Sequence, residues 1–301
     1  MQNVRIVTDT VAGIPPEFID QYNIKVIPVG NIIYDGQWYL DRVAITPGEA
    51  YDLLRKDPDK FQTSAVAPGF LLDAFRDLGI ASQDSLLITI SSALSAFHES
   101  ASLAAELYQR ESSRVPIRIV DSKTVASGQG LVVLAAAQAA SQGMSLEKVA
   151  DIASQVRRIT GCYNLLDTIR YVYRTGRMSK ITCKIGSMLG IKPIAHMQDN
   201  GEMHSIGLCR TREAGVKRII KEIRRESQGE PLHFMVMHAD APEAAEELGN
   251  RLQREFSCLG MVIGEFSPIM GYGSGPGTLS VGFHPELAVG DVSLGQASSS
   301  S

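Results

Sequence analysis

Along the first half of the chain, short apolar runs alternate with longer segments whose apolar positions recur at helical spacing. Val4 to Val7, Val26 to Val29, Leu86 to Ile90 and Ile117 to Val120 read as strands, because short apolar runs bounded by turn formers fit a buried strand. Between them, Pro47 to Arg55, the segment after Pro68 (Phe70, Leu71, Ala74, Phe75, Leu78) and the segment after Ser95 (Phe97, Ala101, Ala104, Tyr108) carry a helical stripe, and a further helix is expected to open at Pro15-Pro16. Asp35-Gly36, set between Ile32-Ile33-Tyr34 and Trp38-Tyr39-Leu40, is a hairpin signal. The stretch from about Thr124 to Ala140 is apolar almost all round, which predicts a helix buried on most sides, and a second helix, Leu146 to Ile159, follows it. Strand and helix in alternation predict an α/β unit with a mostly parallel sheet flanked by helices.

Beyond Gly161 the pattern changes. Ile191 to Met197 and Met203 to Cys209 flank the turn Asp199-Asn200-Gly201, a charged helix is expected from Arg212 to Arg225, and His233 to His238, Met261 to Phe266 and Leu279 to Phe283 read as strands around a helix near Pro242 to Phe256. This predicts a second, α+β domain with a mostly antiparallel sheet. A chain of 301 residues also exceeds the size at which one core usually keeps growing. The division expected is 1–160 for the α/β domain, 161–286 for the α+β domain and 287–301 as a disordered, serine-ended tail.

Composition narrows the function classes. With 44% hydrophobic and 21% charged residues, a net charge of −4 and no apolar run of spanning length, the chain reads as a globular cytoplasmic protein without stable membrane insertion. The acidic balance argues against a dedicated nucleic-acid binder. Cys162, Cys183, Cys209 and Cys258 form no C-x-x-C pair and are expected as free thiols, and the six histidines show no metal-ligand spacing, so no metal is expected.

The most informative residues are hydroxyls. Thr63-Ser64 and Ser91-Ser92, with Ser95 close behind, each stand where a helix is expected to open, and backbone N–H groups at a helix start lack intrahelical partners and favour an anion. Two ordinary N-caps are the plain alternative. Gly128-Gln129-Gly130 lacks the third glycine of a dinucleotide turn, Val133 standing there, and reads as a helix start. Gly271 to Gly277, with four glycines, is either a plain loop or a place of close ligand approach. Arg170, Arg174, Arg177, Lys180, Lys184 and Lys192 make a basic stretch that is either a solvated face or a source of anion contacts, with Arg210 the first choice for a site arginine and Arg177 the second. Met178, Met188, Met197 and Met203 cluster in the second half, where thioethers fill core gaps or line a pocket for a long apolar chain.

Several ordered blocks make the chain resemble the DegV family of bacterial fatty-acid-binding proteins. Val7-Thr8-Asp9-Thr10, Thr63-Ser64-Ala65-Val66-Ala67-Pro68-Gly69, Ile90-Ser91-Ser92-Ala93-Leu94-Ser95-Ala96, Val120-Asp121-Ser122-Lys123, Thr175-Gly176-Arg177-Met178, Ile191-Lys192-Pro193-Ile194 and Gly275-Pro276-Gly277 are similar to family blocks and stand in the same order. The resemblance implies a two-domain protein that encloses one long-chain fatty acid as its ligand, with no cofactor. It implies carboxylate contacts from Thr63 and Ser95, with Ser64, Ser91 and Ser92 alongside, and presentation of the carboxylate to a separate fatty acid kinase for acyl-phosphate and phospholipid synthesis. Arg177, Arg210, Gly273 and Ser274 are implied near the head group or the kinase-facing surface. Where the family commonly carries a histidine two residues before Gly-Pro-Gly, this chain has Gly273, and Ala65 and Ala93 replace the usual Gln and Gly.

Hydroxyls, a helix start and an arginine suit binding more than catalysis, since no base stands next to a nucleophile. The expected function is therefore a non-catalytic carrier. The competing readings are an α/β enzyme acting on a small carboxylated or phosphorylated metabolite, and an adaptor that has lost its ligand.

Overall fold

The computed structural model describes residues 4–77, 83–111, 116–179 and 190–287; Leu78, Lys180, Cys183, Lys184, Met188 and residues 288–301 of the expected tail lie outside the described residues. The first half runs β1 (Val4–Asp9), α1 (Pro16–Tyr22), β2 (Lys25–Ile27), β3 (Gly30–Tyr34), β4 (Gln37–Leu40), α2 (Pro47–Lys56), β5 (Phe61–Ala65), α3 (Pro68–Asp77), β6 (Asp84–Thr89), α4 (Phe97–Glu111), β7 (Ile117–Asp121), α5 (Ala126–Ser141) and α6 (Leu146–Ile159). The second half runs β8 (Gly161–Leu165), α7 (Arg170–Thr175), β9 (Met178–Ser179), β10 (Lys192–Met197), β11 (Met203–Cys209), α8 (Arg212–Ser227), β12 (Leu232–His238), α9 (Pro242–Glu255), β13 (Cys258–Glu265), α10 (Pro268–Ser274) and β14 (Leu279–Pro285).

Four of these strands form an all-parallel sheet in the order β2-β1-β6-β7. Its strands are apolar on both sides because both faces are covered. Ile6 and Ile88 pack with Val132 of α5 and Val149 of α6, whereas Val7 and Leu87 meet Phe75 of α3 and Phe97 and Tyr108 of α4. The expected hairpin is β3–β4, turning at Asp35 (φ 50°) and Gly36 (φ 83°), the paired positive φ values that a two-residue hairpin turn requires. It stands apart from the parallel sheet and takes β5 as a third, antiparallel strand.

That third strand corrects the reading of Thr63-Ser64 as a helix-opening turn. Both residues lie inside β5, where Thr63 pairs with Ile32 and Ser64 with Asn31, and α3 opens only at Pro68. The segment is too short and too polar to announce itself as a strand. Its partner β3 lies well upstream, so only the tertiary fold supplies the pairing.

The other half is built on a seven-stranded sheet, ordered β13-β12-β14-β8-β10-β11-β9. Four of the neighbouring pairs are antiparallel, and β12–β13 and β11–β9 are parallel, so the sheet is mostly antiparallel as expected. Sequence reading missed β8, α7 and α10. The first residues of the basic stretch belong to α7, and Gly271 to Ser274 form the end of α10, so the glycine segment is a helix end followed by a turn rather than one loop.

Helix α5 lies between the two large sheets and is almost wholly buried. Gly128-Gln129-Gly130 lies within it, not before it, and serves close packing. A Cβ at Gly130 would fall 2.8 Å from the Ala12 carbonyl oxygen, and one at Gly282 of β14 would fall 2.7 Å from the Ser127 carbonyl oxygen. The apolar core crosses between the halves, joining Val7 and Leu87 to Met197, Met235 and Phe266. Among the described residues, no helix is long and apolar enough to cross a membrane.

Backbone atoms cannot yield as a side-chain tip can. Gly282→Ala is therefore expected to cost about 1–3 kcal/mol by overpacking, whereas Gly273→Ala, with nothing within 4 Å of its added carbon, should cost nothing. Urea unfolding of the two variants checks this, and a Gly282→Ala protein as stable as the parent would refute the close contact.

Candidate functional site

A cavity enclosing about 1110 Å³ of empty space, part of it open to solvent, lies where the ends of β1 and β6, strand β5, helix α10 and the β8–α7 segment meet. The walls are mainly apolar, with Val11, Val29, Ile90, Val125, Leu166 and Phe266 among them, and Arg177 is the only charged side chain among the described lining residues.

Buried polar groups fasten these walls. Asp9 accepts hydrogen bonds from the backbone N–H of Val11 (3.0 Å) and Ile90 (2.7 Å) and from Gln129 Nε2 (3.0 Å). Thr10 Oγ1 accepts from the Val29 N–H (3.1 Å) and donates to Asp41 (2.5 Å). Asp41 in turn accepts from the Ile269 N–H (3.2 Å) at the start of α10. Val11, Val29, Ile90 and Ile269 all line the cavity. Sequence reading quoted Asp9 and Thr10 only as a block of resemblance and passed over Asp41, which nothing local distinguishes from a loop aspartate.

The predicted hydroxyls divide. Thr63, Ser64 and Ser95 line the cavity; Ser91 and Ser92 do not. Thr63 shares the face of its sheet that carries Ile32, Tyr34 and Phe61, the face turned to the core, whereas Ser64 alternates to the other face with Gln62. The Thr63 hydroxyl has no protein partner among the described residues, and Ser95 Oγ accepts from the Phe97 N–H (3.2 Å) at the start of α4, leaving its own proton free to donate. Ser91 Oγ instead donates to the Gly201 carbonyl (2.8 Å), which pins the β10–β11 turn against the serine loop. Ser92 Oγ donates to Asp121 (2.6 Å), and Lys123 bonds both of them. These two serines hold the loop that carries Ser95.

The arginines divide as well. Arg177 lies at the opening, shared with a neighbouring cleft lined by Ala93, Leu94, Gly176, Glu202 and Met203, and donates to the Thr175 carbonyl (2.6 Å). Arg210 is exposed and absent from the lining. Strand β11 touches the cavity at Met203, its opposite end, and at about 3.3 Å per residue Arg210 stands roughly 20 Å further along. Arg174 and Lys192 are engaged with Asp59 and Asp167. Gly273 lines the cavity with open space where a side chain would project, and Ser274 Oγ is held by the Met270 carbonyl (2.8 Å). Of the predicted methionines among the described residues, Met203 lines the cavity and Met178 and Met197 do not; Met270 and Tyr272, the latter stacked on Phe61, were not foreseen. Asn164, in a strand that sequence reading missed, was not foreseen either.

Three comparisons bear on this site. A sequence profile described as "Uncharacterised protein, DegV family" matches residues 3–286. A DegV domain-containing protein of Caldanaerobacter subterraneus is 30% identical over 285 residues, covering 94% of this chain and 99% of its own. The crystal structure of DegV from Bacillus subtilis, described as a fatty acid binding protein, superposes with a TM-score of 0.82 at 26% identity, covering 95% of this chain and all 100% of that one. A DegV-family protein of Ruminococcus gnavus, refined with vaccenic acid, shares the fold at a TM-score of 0.83 and 19% identity, covering 94% and 100%.

The carboxylates under the cavity set a pH dependence. Burial raises Asp9 from the ordinary 3.8 to about 7, its N–H donors offsetting only part of the effect, and burial raises Asp41 too. With the folded value above the unfolded one, the native state holds the extra proton between those two values, so this contribution to stability is full at the acid end and is lost as pH rises through about 7. Urea unfolding at pH 5 and pH 8 is expected to show the decline, and Asp9→Asn to flatten it while lowering stability by about 1–3 kcal/mol through its mispaired amide. Identical slopes in parent and variant would mean that Asp9 stays ionised on its donors throughout.

Proposed function

The chain belongs to the DegV family, and from that premise we propose that its cavity holds one long-chain fatty acid, gripped at the carboxylate by Thr63 and Ser95 and enclosed by apolar walls along its tail. The observation that carries this reading is the pairing, in one cavity, of two hydroxyls free to donate with described lining residues that include a single charge. Each CH₂ taken from water is worth about 0.8 kcal/mol, so a long tail supplies most of the affinity. The hydroxyls fix which end stands at Arg177.

No histidine, cysteine, aspartate, glutamate or lysine is among the described lining residues. Neither hydroxyl thus has a base beside it to make it a nucleophile, and this favours a carrier over a hydrolase or transferase. The reading extends to delivery: Arg177 at the opening and the adjoining cleft form the face on which a fatty acid kinase would meet the exposed carboxylate. The division into 1–160 and 161–286 belongs to the same proposal, because the ligand is then held between a parallel-sheet half and a mostly antiparallel half.

Protein purified from a bacterial host, denatured and extracted, should release close to one fatty acid per chain by mass spectrometry; none would sink the carrier reading. Thr63→Val and Ser95→Ala should each weaken binding roughly tenfold or more, since hydrogen bonds to a charged group are worth about 1.5–3 kcal/mol. Ser95→Ala should also lower stability by about 1 kcal/mol through loss of its cap on α4. With a fatty acid kinase and ATP added, acyl-phosphate formation should fall in the double variant. Unchanged turnover would remove both hydroxyls from the site.

A further inference from the structure

One polar side chain among the apolar walls of the cavity has no adequate partner. Asn164, on β8, is 4% exposed and lines the cavity beside Val125, Leu166 and Met203. Its Nδ2 bonds only sulfur, Cys162 Sγ at 3.8 Å and Met203 Sδ at 3.9 Å. Its cross-strand neighbours, Ala195 and Ser280, do not bond it.

The sulfurs settle which end of the amide faces which way. A thioether only accepts, and the Cys162 thiol uses its proton on the Val125 carbonyl (3.5 Å), so both sulfurs face Asn164 as acceptors and the NH₂ end belongs on their side. The carbonyl end is left pointing away from them. Asn164 Oδ1 has no hydrogen-bond partner among the described residues, yet it is not among the sealed, unpaired atoms such as Tyr51 Oη and Gln129 Oε1, so it borders the cavity's empty space.

A plain hydrocarbon tail would cover this oxygen and leave it dry and unpaired, which a buried acceptor tolerates poorly. A leucine or methionine there would have completed the apolar wall at no such cost. We propose that the cavity is built for an oxygenated acyl chain, a hydroxy fatty acid whose chain hydroxyl donates a hydrogen bond to Asn164 Oδ1. The inference rests on the fatty-acid reading above and adds the class of acid. The head end is held by Thr63 and Ser95, and Asn164 reads a second, uncharged polar point on the ligand. A site that bonds a ligand hydroxyl discriminates against the analogue lacking it more sharply than an apolar wall discriminates by size.

The test is a binding panel on delipidated full-length protein, using octadecanoic acid and its monohydroxy isomers with the hydroxyl moved stepwise along the chain. At least one hydroxy isomer should bind about tenfold more tightly than octadecanoic acid, and Asn164→Leu should reverse that order, with the plain acid then bound more tightly. The panel on the unmutated protein stands alone if the variant does not fold. Equal or weaker binding of every hydroxy isomer, as expected if trapped water already satisfies the amide, would overturn the inference while leaving the fatty-acid reading intact. A preference that survives in a folded Asn164→Leu protein would also overturn it. Binding of neither plain nor hydroxylated acids would end both readings.

Discussion

Asp9 and Asp41 are carboxylates removed from water, and four backbone segments that come from different parts of the chain hang from them and from Thr10 between them. A buried carboxylate is costly unless donors surround it. Once the donors are backbone N–H groups, the same carboxylate becomes a jig: the ends of β1 and β6, the approach to β3 and the start of α10 cannot move independently. Their side chains at those points, Val11, Ile90, Val29 and Ile269, form one side of the cavity. The cavity persists because its walls are held by polar bonds behind them rather than by apolar filling within.

Helix α5 makes the second fixed surface. It is packed on both sides, and glycine on the helix and on β14 lets main chain approach main chain. The two large sheets are thereby set at a defined distance, and the space left at the end of α5, near Val125, opens into the cavity. The buried Ser127–Ser280 hydrogen bond (2.6 Å) adds a directional contact across that seam.

The chemistry of the site follows from what its lining contains. Hydroxyls donate without carrying charge, so they can orient a polar group without adding a fixed charge to the lining. One arginine stands at the opening, where water screens it. Among the described lining residues no acid, histidine or lysine stands beside the hydroxyls, which fits the carrier reading proposed above. Asn164 puts an amide among the apolar walls, and Gly273 leaves open space in the lining.

Periodicity alone was enough for the long elements. The strands of the parallel sheet, the buried α5, the amphipathic α6, α8 and α9 and the β3–β4 hairpin were legible because each carries its burial pattern within its own residues. Thr63 and Ser95 were legible as candidates because hydroxyls cluster around them and the blocks resemble a family, and the fold sets both in the lining of one cavity. The chain could not show by itself that Thr63 sits in a strand, that Ser91 and Ser92 are consumed in tying loops, or that Arg210 ends at the far end of β11. Nor could it show that Asp9, Asp41 and Asn164 matter. Those outcomes depend on partners distant in sequence: a hydroxyl becomes a ligand contact or a structural tie only according to which acceptor the fold brings beside it.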